Sequence, residues 1–364
     1  MTKKNICVLF GGKSAEHNIS LRSAKNLIAS INREHFNVYL IGITRKGHWI
    51  YRPDNRLLLD GEHPNQPVLN TEGIKVCLPP QCNGRLYSLE APLKEEVVFD
   101  VVFPMLHGPL GEDGAIQGLL KVANVPFVGP DVLGAAVGMD KEVMKSLLVA
   151  AGLPIGKYRT FRSSDNIPAF VSIAGELGTP VYVKPANMGS SVGISKVDTA
   201  SQWQPALEEA FKYDNKIVVE ANINGKELEC AVLGNAHPEA STVGEVSKEV
   251  DFYDYETKYL KSTVSKAIIP ARIGEDALEA VRNTAIAAYK ALQCEGLGRV
   301  DVFYTEEGEI LVNEINTIPG FTNISMYPKL WKTVGLPTDQ LIDKLVDLAI
   351  SRHRRQEEIL DATR

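Results

Sequence analysis

Apolar positions along the 364-residue chain fall into two alternating rhythms. A continuous apolar run over Ile6–Phe10 stops at Gly11-Gly12, as a buried strand ending in a glycine turn does. The spacing then changes, and from about Ser20 the residues Leu21, Ala24, Leu27, Ile28 and Ile31 share one face of a helix. Asn37–Ile43 reads as a second buried strand. Arg52–Glu96, rich in Pro, Gly and Asn, reads as irregular or hairpin-like. Strand character returns at Val97–Leu106, followed by a helix over Gly114–Ala123 and a short strand at Pro126–Val128. Strand, glycine turn and helix in this order predict a parallel sheet with helices on its faces.

A second region opens at Met139-Asp140-Lys141. Asp140 suits a helix N-cap, and Val143, Met144, Leu147, Leu148 and Ala151 share a face before Gly152 and Pro154 end the helix. Strand Val181–Lys184 runs into a glycine- and serine-rich loop, Asn187–Gly193, and strand Lys216–Glu220 closes the region. The third region holds a polar loop at Asp251–Ser262 and an amphipathic helix near Glu275–Leu292. Two strands, Gly298–Tyr304 and Glu309–Asn316, follow, and a last helix covers Thr338–His353. Breaks near residues 138 and 223 divide the chain into 1–138, 139–222 and 223–364.

Composition narrows the classes. Hydrophobic residues at 44% and charged residues at 23% exclude wholesale disorder. A net charge of −6 argues against a nucleic-acid or anionic-membrane partner. Five scattered cysteines without a C-x-x-C pair argue against a disulfide scaffold or zinc site and suit a reducing, cytoplasmic location. No run approaches the roughly 20 apolar residues of a membrane span.

Two loops could meet phosphate. Gly12-Lys13-Ser14 fails as a P-loop, because the glycine required five positions before Gly12 is Cys7. Gly189–Gly193 lets backbone N–H groups approach an anion, with Lys184 supplying charge, although a flexible surface hairpin has the same composition. The hairpin 299–316 is sharper. Arg299, Asp301 and Phe303 share one face of its first strand, and Ile310, Val312, Glu314 and Asn316 share one face of its second. If Tyr304 pairs with Glu309, Asp301 lies opposite Val312 and diagonal to Glu314, with both polar sets on the same face. Hard oxygen ligands of this kind suit Mg²⁺. A solvent-facing hairpin accounts for Glu306, Glu307 and Glu309, but poorly for Glu314 and Asn316, which continue an apolar face.

Taken together, these residues resemble a known family. Lys141, Tyr182–Pro185, Gly189–Gly193, Val219–Ile223, Gly298–Asp301 and Asn313–Asn316 resemble an ATP-grasp nucleotide site. Phe10–Ser20, His107–Gly114, Phe252–Tyr259 and Asn316–Gly320 are similar to D-alanine–D-alanine ligases, in order, from residue 10 to about 325. The resemblance implies an ATP-grasp fold: an N-terminal α/β substrate-binding domain, then two subdomains, α+β in character, enclosing the nucleotide. The implied reaction condenses two D-alanines for peptidoglycan through an acyl phosphate, releasing ADP and phosphate.

The resemblance also implies roles. Lys141, Lys184 and Lys258 meet the phosphates, with Mg²⁺ or Mn²⁺, as two ions, on Asp301, Glu314 and Asn316. Glu220 and the backbone at Ala221 and Ile223 receive the adenine and Glu227 the ribose, and Ser191, Tyr253 and Phe303 complete the nucleotide-binding set. Glu16 binds the first D-alanine's ammonium, with His107 nearby. Arg299 and the Gly320 N–H stabilise the oxyanion, while Ser325 and Lys258 hold the second carboxylate. Ser190 and Tyr259 complete a hydrogen-bonded chain with Glu16, and Asp251–Ser262 serves as a lid. A homodimer is the family's assembly. Read alone, Glu16 fits a helix start favoured by the dipole, and His107 and Tyr259 fit ordinary packing. One departure is Ala221, where some ligases carry lysine, which predicts altered nucleotide affinity. Arg52–Glu96 is also longer than in short family members. The rival readings are a D-alanine–D-lactate ligase, which Tyr259 disfavours, another ATP-grasp carboxylate–amine ligase, and a non-catalytic nucleotide sensor.

Overall fold

The structure, a computed structural model, describes residues 2–61, 66–247, 267–322 and 324–362. In chain order its first region holds β1 (Lys4–Gly11), α1 (His17–Ser30), β2 (Phe36–Ile43), β3 (Trp49–Tyr51), β4 (Leu58–Leu59), β5 (Val68–Leu69), β6 (Ile74–Cys77), β7 (Tyr87–Ser88), β8 (Val101–Met105), α2 (Ala115–Val122) and α3 (Val132–Met139). The first sheet has the order β7-β6-β3-β2-β1-β8. Its β2-β1-β8 part is parallel, whereas β3, β6 and β7 add antiparallel strands, so the sheet is mixed rather than wholly parallel. Arg52–Glu96 therefore does contribute structure, in strands too short to show periodicity.

β1 explains why its sequence has no alternation. Ile6, Val8 and Phe10 face one hydrophobic cluster while Cys7 and Leu9 face another, so both faces are buried. Pro104 is tolerated inside β8 because the strand's outer side meets, among the described residues, only a one-residue bridge from Val102 to Phe127, and Pro104 lies beyond it. β1 ends where Gly11 adopts φ +96°, and a Cβ there would lie 2.2 Å from the Ile43 carbonyl oxygen. We expect Gly11→Ala to cost at least about 1–3 kcal/mol, read as a lowered urea midpoint, since both backbone strain and the β1–β2 contact oppose it.

The second sheet, order β11-β10-β12-β9, is antiparallel and comprises β9 (Tyr158–Arg162), β10 (Val181–Pro185), β11 (Ser195–Val197) and β12 (Lys216–Ala221). α5 (Phe170–Leu177) and α6 (Ala200–Phe211) share its core. The third sheet, order β15-β14-β13-β16-β17, comprises β13 (Gly225–Gly234), β14 (Glu239–Val246), β15 (Ala267–Ile268), β16 (Gly296–Thr305) and β17 (Ile310–Asn316). α4 (Lys141–Ala150) and α7 (Glu275–Ala291) pack on one face of it. α8 (Met326–Thr333) and α9 (Thr338–Asp361) instead join the cluster of Ile6, Val8 and Phe10, which continues into Ala231, Leu233 and Leu297 of the third sheet. That shared core places the carboxyl ends of β1 and β8 against the third sheet. Among the described residues no helix is long and apolar enough to cross a membrane.

α4 departs from its expected face. Asp140 does cap it, accepting from the Glu142 and Val143 N–H groups at 3.1 and 3.2 Å. Its buried residues, however, are Lys141, Met144, Lys145 and Leu148, while Val143 is exposed. Two lysines sit on the inner face because partners inside the adjoining cleft satisfy them.

Candidate active site

A cavity of about 390 Å³ opens where the three sheets meet. Glu16 and His107 come from the first sheet's loops, and Lys184, Ser190, Ser191, Glu220, Ala221 and Ile223 from the second sheet and its edges. Glu227, Arg299, Asp301, Phe303, Glu314 and Asn316 come from the third, Lys141 from α4, and Gly320 and Ser325 from the loop before α8; all line the cavity. Tyr253, Lys258 and Tyr259, with the rest of the Asp251–Ser262 segment, lie outside the described residues.

At the hairpin, the expected register is corrected. Tyr304 pairs with Ile310 rather than Glu309, and Val302 pairs with Val312; a bulge at Asn313 then brings Asp301 directly opposite Glu314 and Arg299 opposite Asn316. The bulge reverses the alternation. Val312 and Ile315 therefore turn into the core, while Glu314 and Asn316 join Arg299 and Asp301 in the cavity. The two faces meet as expected, but Glu314 does not continue the face of Val312.

Arg299 donates to both Asp301 oxygens, at 2.7 and 2.6 Å, and lies 3.1 Å from Glu229. Asn316 donates its amide N–H to Asp301 at 3.0 Å, leaving its carbonyl oxygen for a cation. Burial, joined by Glu229 and Glu314, pushes the Asp301 carboxyl up against the opposing pull of Arg299. Carboxylates crowded in this way, with an amide oxygen, form a hard donor set. No group of three or more His, Cys, Asp and Glu side chains among the described residues is arranged to hold a metal. That pattern still fits Mg²⁺, which takes one or two carboxylates and completes its shell with water and phosphate oxygens.

At the second sheet, Lys184 Nζ lies 2.5 Å from Glu220 Oε2, and Lys145 Nζ lies 2.9 Å from Glu220 Oε1. Burial alone would raise the Glu220 pKa, but the two ammoniums outweigh it and hold the carboxyl well below its usual range. Burial likewise opposes the charged form of Lys184, yet Glu220 and Glu314 keep its pKa above the ordinary lysine value. Lys141 donates to the Met188 carbonyl at 2.8 Å and sits 3.6 Å from Glu314. The Gly189–Gly193 loop is therefore tied into the cavity. Ser190 and Ser191 hold left-handed φ values of 49° and 61°, and the Ser190 hydroxyl donates to Glu16.

Glu16 is buried against Gly108, where a Cβ would approach its Oε2 to 2.5 Å. His107 Nε2 lies 3.0 Å from Ser23 Oγ, and burial lowers its pKa to about 4, so the ring is neutral at pH 7. Gly320 sits beside Ser325, whose hydroxyl accepts the Thr322 N–H at 2.9 Å.

Three cavity residues escaped sequence reasoning. Glu112 accepts the Gly108 and Ile318 N–H groups at 2.6 and 3.3 Å, and burial together with Glu16 drives its pKa upward. It lies within the His107–Gly114 motif but carried no assigned role. Glu229 stands opposite Asp301 on β13, a strand not anticipated. Lys145 lies one helical turn beyond Lys141, a spacing that could have marked it.

Three sheets closing on a cavity of lysines, hard oxygen donors and a glycine–serine loop define an ATP-grasp ligase. Models described as D-ala D-ala ligase N-terminus and C-terminus match residues 5–130 and 147–347. The chain belongs to the D-alanine–D-alanine ligase family. It is 48% identical to a D-alanine–D-alanine ligase of Shouchella clausii over 362 residues, covering 99% of this chain and 98% of that one. Among solved structures, a D-alanine–D-alanine ligase from Coxiella burnetii superposes with a TM-score of 0.84 at 35% identity, over 100% of this chain and 98% of that one. A D-Ala:D-Ser ligase from Enterococcus faecalis gives 0.81 at 37% identity, over 96% and 100%.

Proposed function

We propose that the protein joins two D-alanine molecules into D-alanyl-D-alanine for peptidoglycan, consuming ATP and releasing ADP and phosphate. The observation that carries this reading is the single cavity uniting Glu16, Arg299, Lys141, Lys184 and the Asp301–Glu314–Asn316 set. Among the described residues that line the cavity, nothing favours the D-lactate ligase. A cytoplasmic homodimer is the setting that the family resemblance supports.

Each group has a physical task. A divalent ion, Mg²⁺ or Mn²⁺, and by resemblance two of them, would be held by Asp301, Glu314 and Asn316 and supplies neutralisation of phosphate charge when bound. Lys141 and Lys184 position the phosphates, in a reaction governed mostly by positioning and electrostatics. Ala221 and Ile223, at the end of β12, receive the adenine beside Phe303, and Glu227, paired with Phe303 across β13 and β16, receives the ribose. Tyr253 and Lys258 keep the nucleotide roles that the resemblance implies. The first D-alanine's carboxylate oxygen attacks the γ-phosphorus as ADP leaves. The second molecule's neutral amine then attacks the carbonyl carbon, and phosphate leaves with the bridging oxygen. Arg299 and the Gly320 N–H stabilise the oxyanion between those events. Glu16 holds the first ammonium, Ser325 and Lys258 the second carboxylate, and Ser190 with Tyr259 orients the pair.

The test is phosphate release from ATP and Mg²⁺ with D-alanine, L-alanine, D-serine or D-lactate as sole substrate, with mass analysis of the product. D-Alanine alone should sustain rapid release and yield the dipeptide; an absence of D-alanine-dependent release contradicts the reading. Glu16→Gln preserves an acceptor for Ser190 but removes the charge. It should raise the KM of the first D-alanine about 10- to 100-fold, the worth of a hydrogen bond to a charged group.

A further inference from the structure

One buried ion cluster has more charge than the proposed reaction accounts for. The Lys145 side chain is 2% exposed, with its ammonium 2.9 Å from one Glu220 oxygen and 5.6 Å above the Tyr158 ring centroid. The other Glu220 oxygen meets Lys184 at 2.5 Å. β12 places Glu220 between Tyr158 of β9 and Tyr182 of β10, so the carboxylate stands in the middle of the second sheet. Lys145 reaches it from α4, whose Met144 and Leu148 are packed in the third sheet's core. Two ammoniums thus share one carboxylate inside the cleft.

That arrangement bears on how a phosphate could obtain Lys184. To serve an incoming phosphate, Lys184 must exchange part of its contact with Glu220 for phosphate oxygens. A buried carboxylate deprived of its only cation is costly, so a lone Lys184–Glu220 pair would resist the exchange. Lys145 removes that obstacle, because it keeps Glu220 paired throughout. We infer that Lys145 is a positioning residue for nucleotide binding: it holds Glu220 as a compensated carboxylate and so releases Lys184 to the phosphates. This rests on the ATP-dependent reading above. Lys145 acts through Glu220, and no chemical step is assigned to it.

The exchange makes an unusual prediction about a pair of substitutions. Lys145→Met keeps the apolar stem and removes the ammonium; Glu220 then holds Lys184 alone. ADP binding, measured by calorimetry with Mg²⁺, should weaken about 10- to 100-fold, while the KM of D-alanine at saturating ATP stays within about twofold. Glu220→Gln removes the competing carboxylate, so adding Lys145→Met to it should change ADP affinity less than about threefold. The double variant contains no uncompensated buried carboxylate; where Lys145→Met alone does not fold, Lys145→Gln, a neutral donor to Glu220, takes its place and should weaken ADP binding in the same direction, again only while Glu220 is present. A Lys145 that merely supports the fold would lower the unfolding midpoint in either background and leave ADP binding unchanged. That result overturns the inference, as does an equal loss of ADP affinity in both backgrounds. Failure of the unaltered protein to bind ADP at all would overturn the nucleotide reading itself, a separate outcome from binding that is indifferent to Lys145.

Discussion

Arg299→Met should lower kcat by about 10²- to 10³-fold while leaving the KM of ATP within a fewfold of its starting value, the scale of losing one preorganised oxyanion donor. The guanidinium is 17% exposed and pinned by two hydrogen bonds to Asp301 and by Glu229. Its orientation is thereby set before substrate arrives, and preorganisation is what makes a buried donor effective. Arg299→Lys should recover little, because an ammonium cannot reproduce the planar two-point contact with Asp301. Steady-state kinetics with ATP and D-alanine varied separately check this. Retention of more than a tenth of kcat in Arg299→Met would show that the oxyanion is stabilised elsewhere.

Arg352→Met should produce the largest loss of stability, about 3–5 kcal/mol, with kcat nearly unchanged in the folded protein. Arg352 on α9 is 3% exposed, far from water. Its guanidinium donates to the Phe127 carbonyl at 2.7 Å and to the Gly129 carbonyl, and stacks 4.6 Å from the Phe127 ring. Burial lowers its pKa, with Glu295 and Asp131 opposing that effect. Methionine would occupy much of the stem's volume but leave two buried carbonyls without these donors. The last helix would then lose its buried polar anchor to the segment following α2 and keep only the partly buried contact of Gln356 with Asp131 at 3.1 Å. Urea unfolding followed by circular dichroism provides the measurement, and a change below about 1 kcal/mol would mean that water or a neighbour satisfies those carbonyls.

Legibility in the sequence varied with the physical origin of each signal. β1 was readable as an apolar run because both its faces are buried, and Asp140 announced its helix through local capping chemistry. The hairpin was readable as two strands but not in register. The bulge at Asn313 depends on tertiary pairing, and without it an alternating pattern assigns Glu314 to the wrong face. β9, β13, β14, α5 and α6 went unassigned; α6 even carries Pro205 within it, which ordinarily argues against a helix. Glu229 is invisible for a related reason, and Lys145 shows only as a lysine one turn from Lys141, since a buried charge becomes intelligible only when its partner on another element is known. Motif order supplied most of the candidate site because ligand-facing loops keep their chemistry local, whereas the residues supporting them are scattered through the fold.

The central claim is that the D-alanine carboxylate becomes an acyl phosphate. Incubating the enzyme with ATP, Mg²⁺ and D-alanine labelled with ¹⁸O in its carboxyl group tests it most directly. One labelled oxygen should appear in each phosphate released, carried there as the bridging atom of the intermediate. D-Alanyl-D-alanine accompanied by unlabelled phosphate would contradict the account.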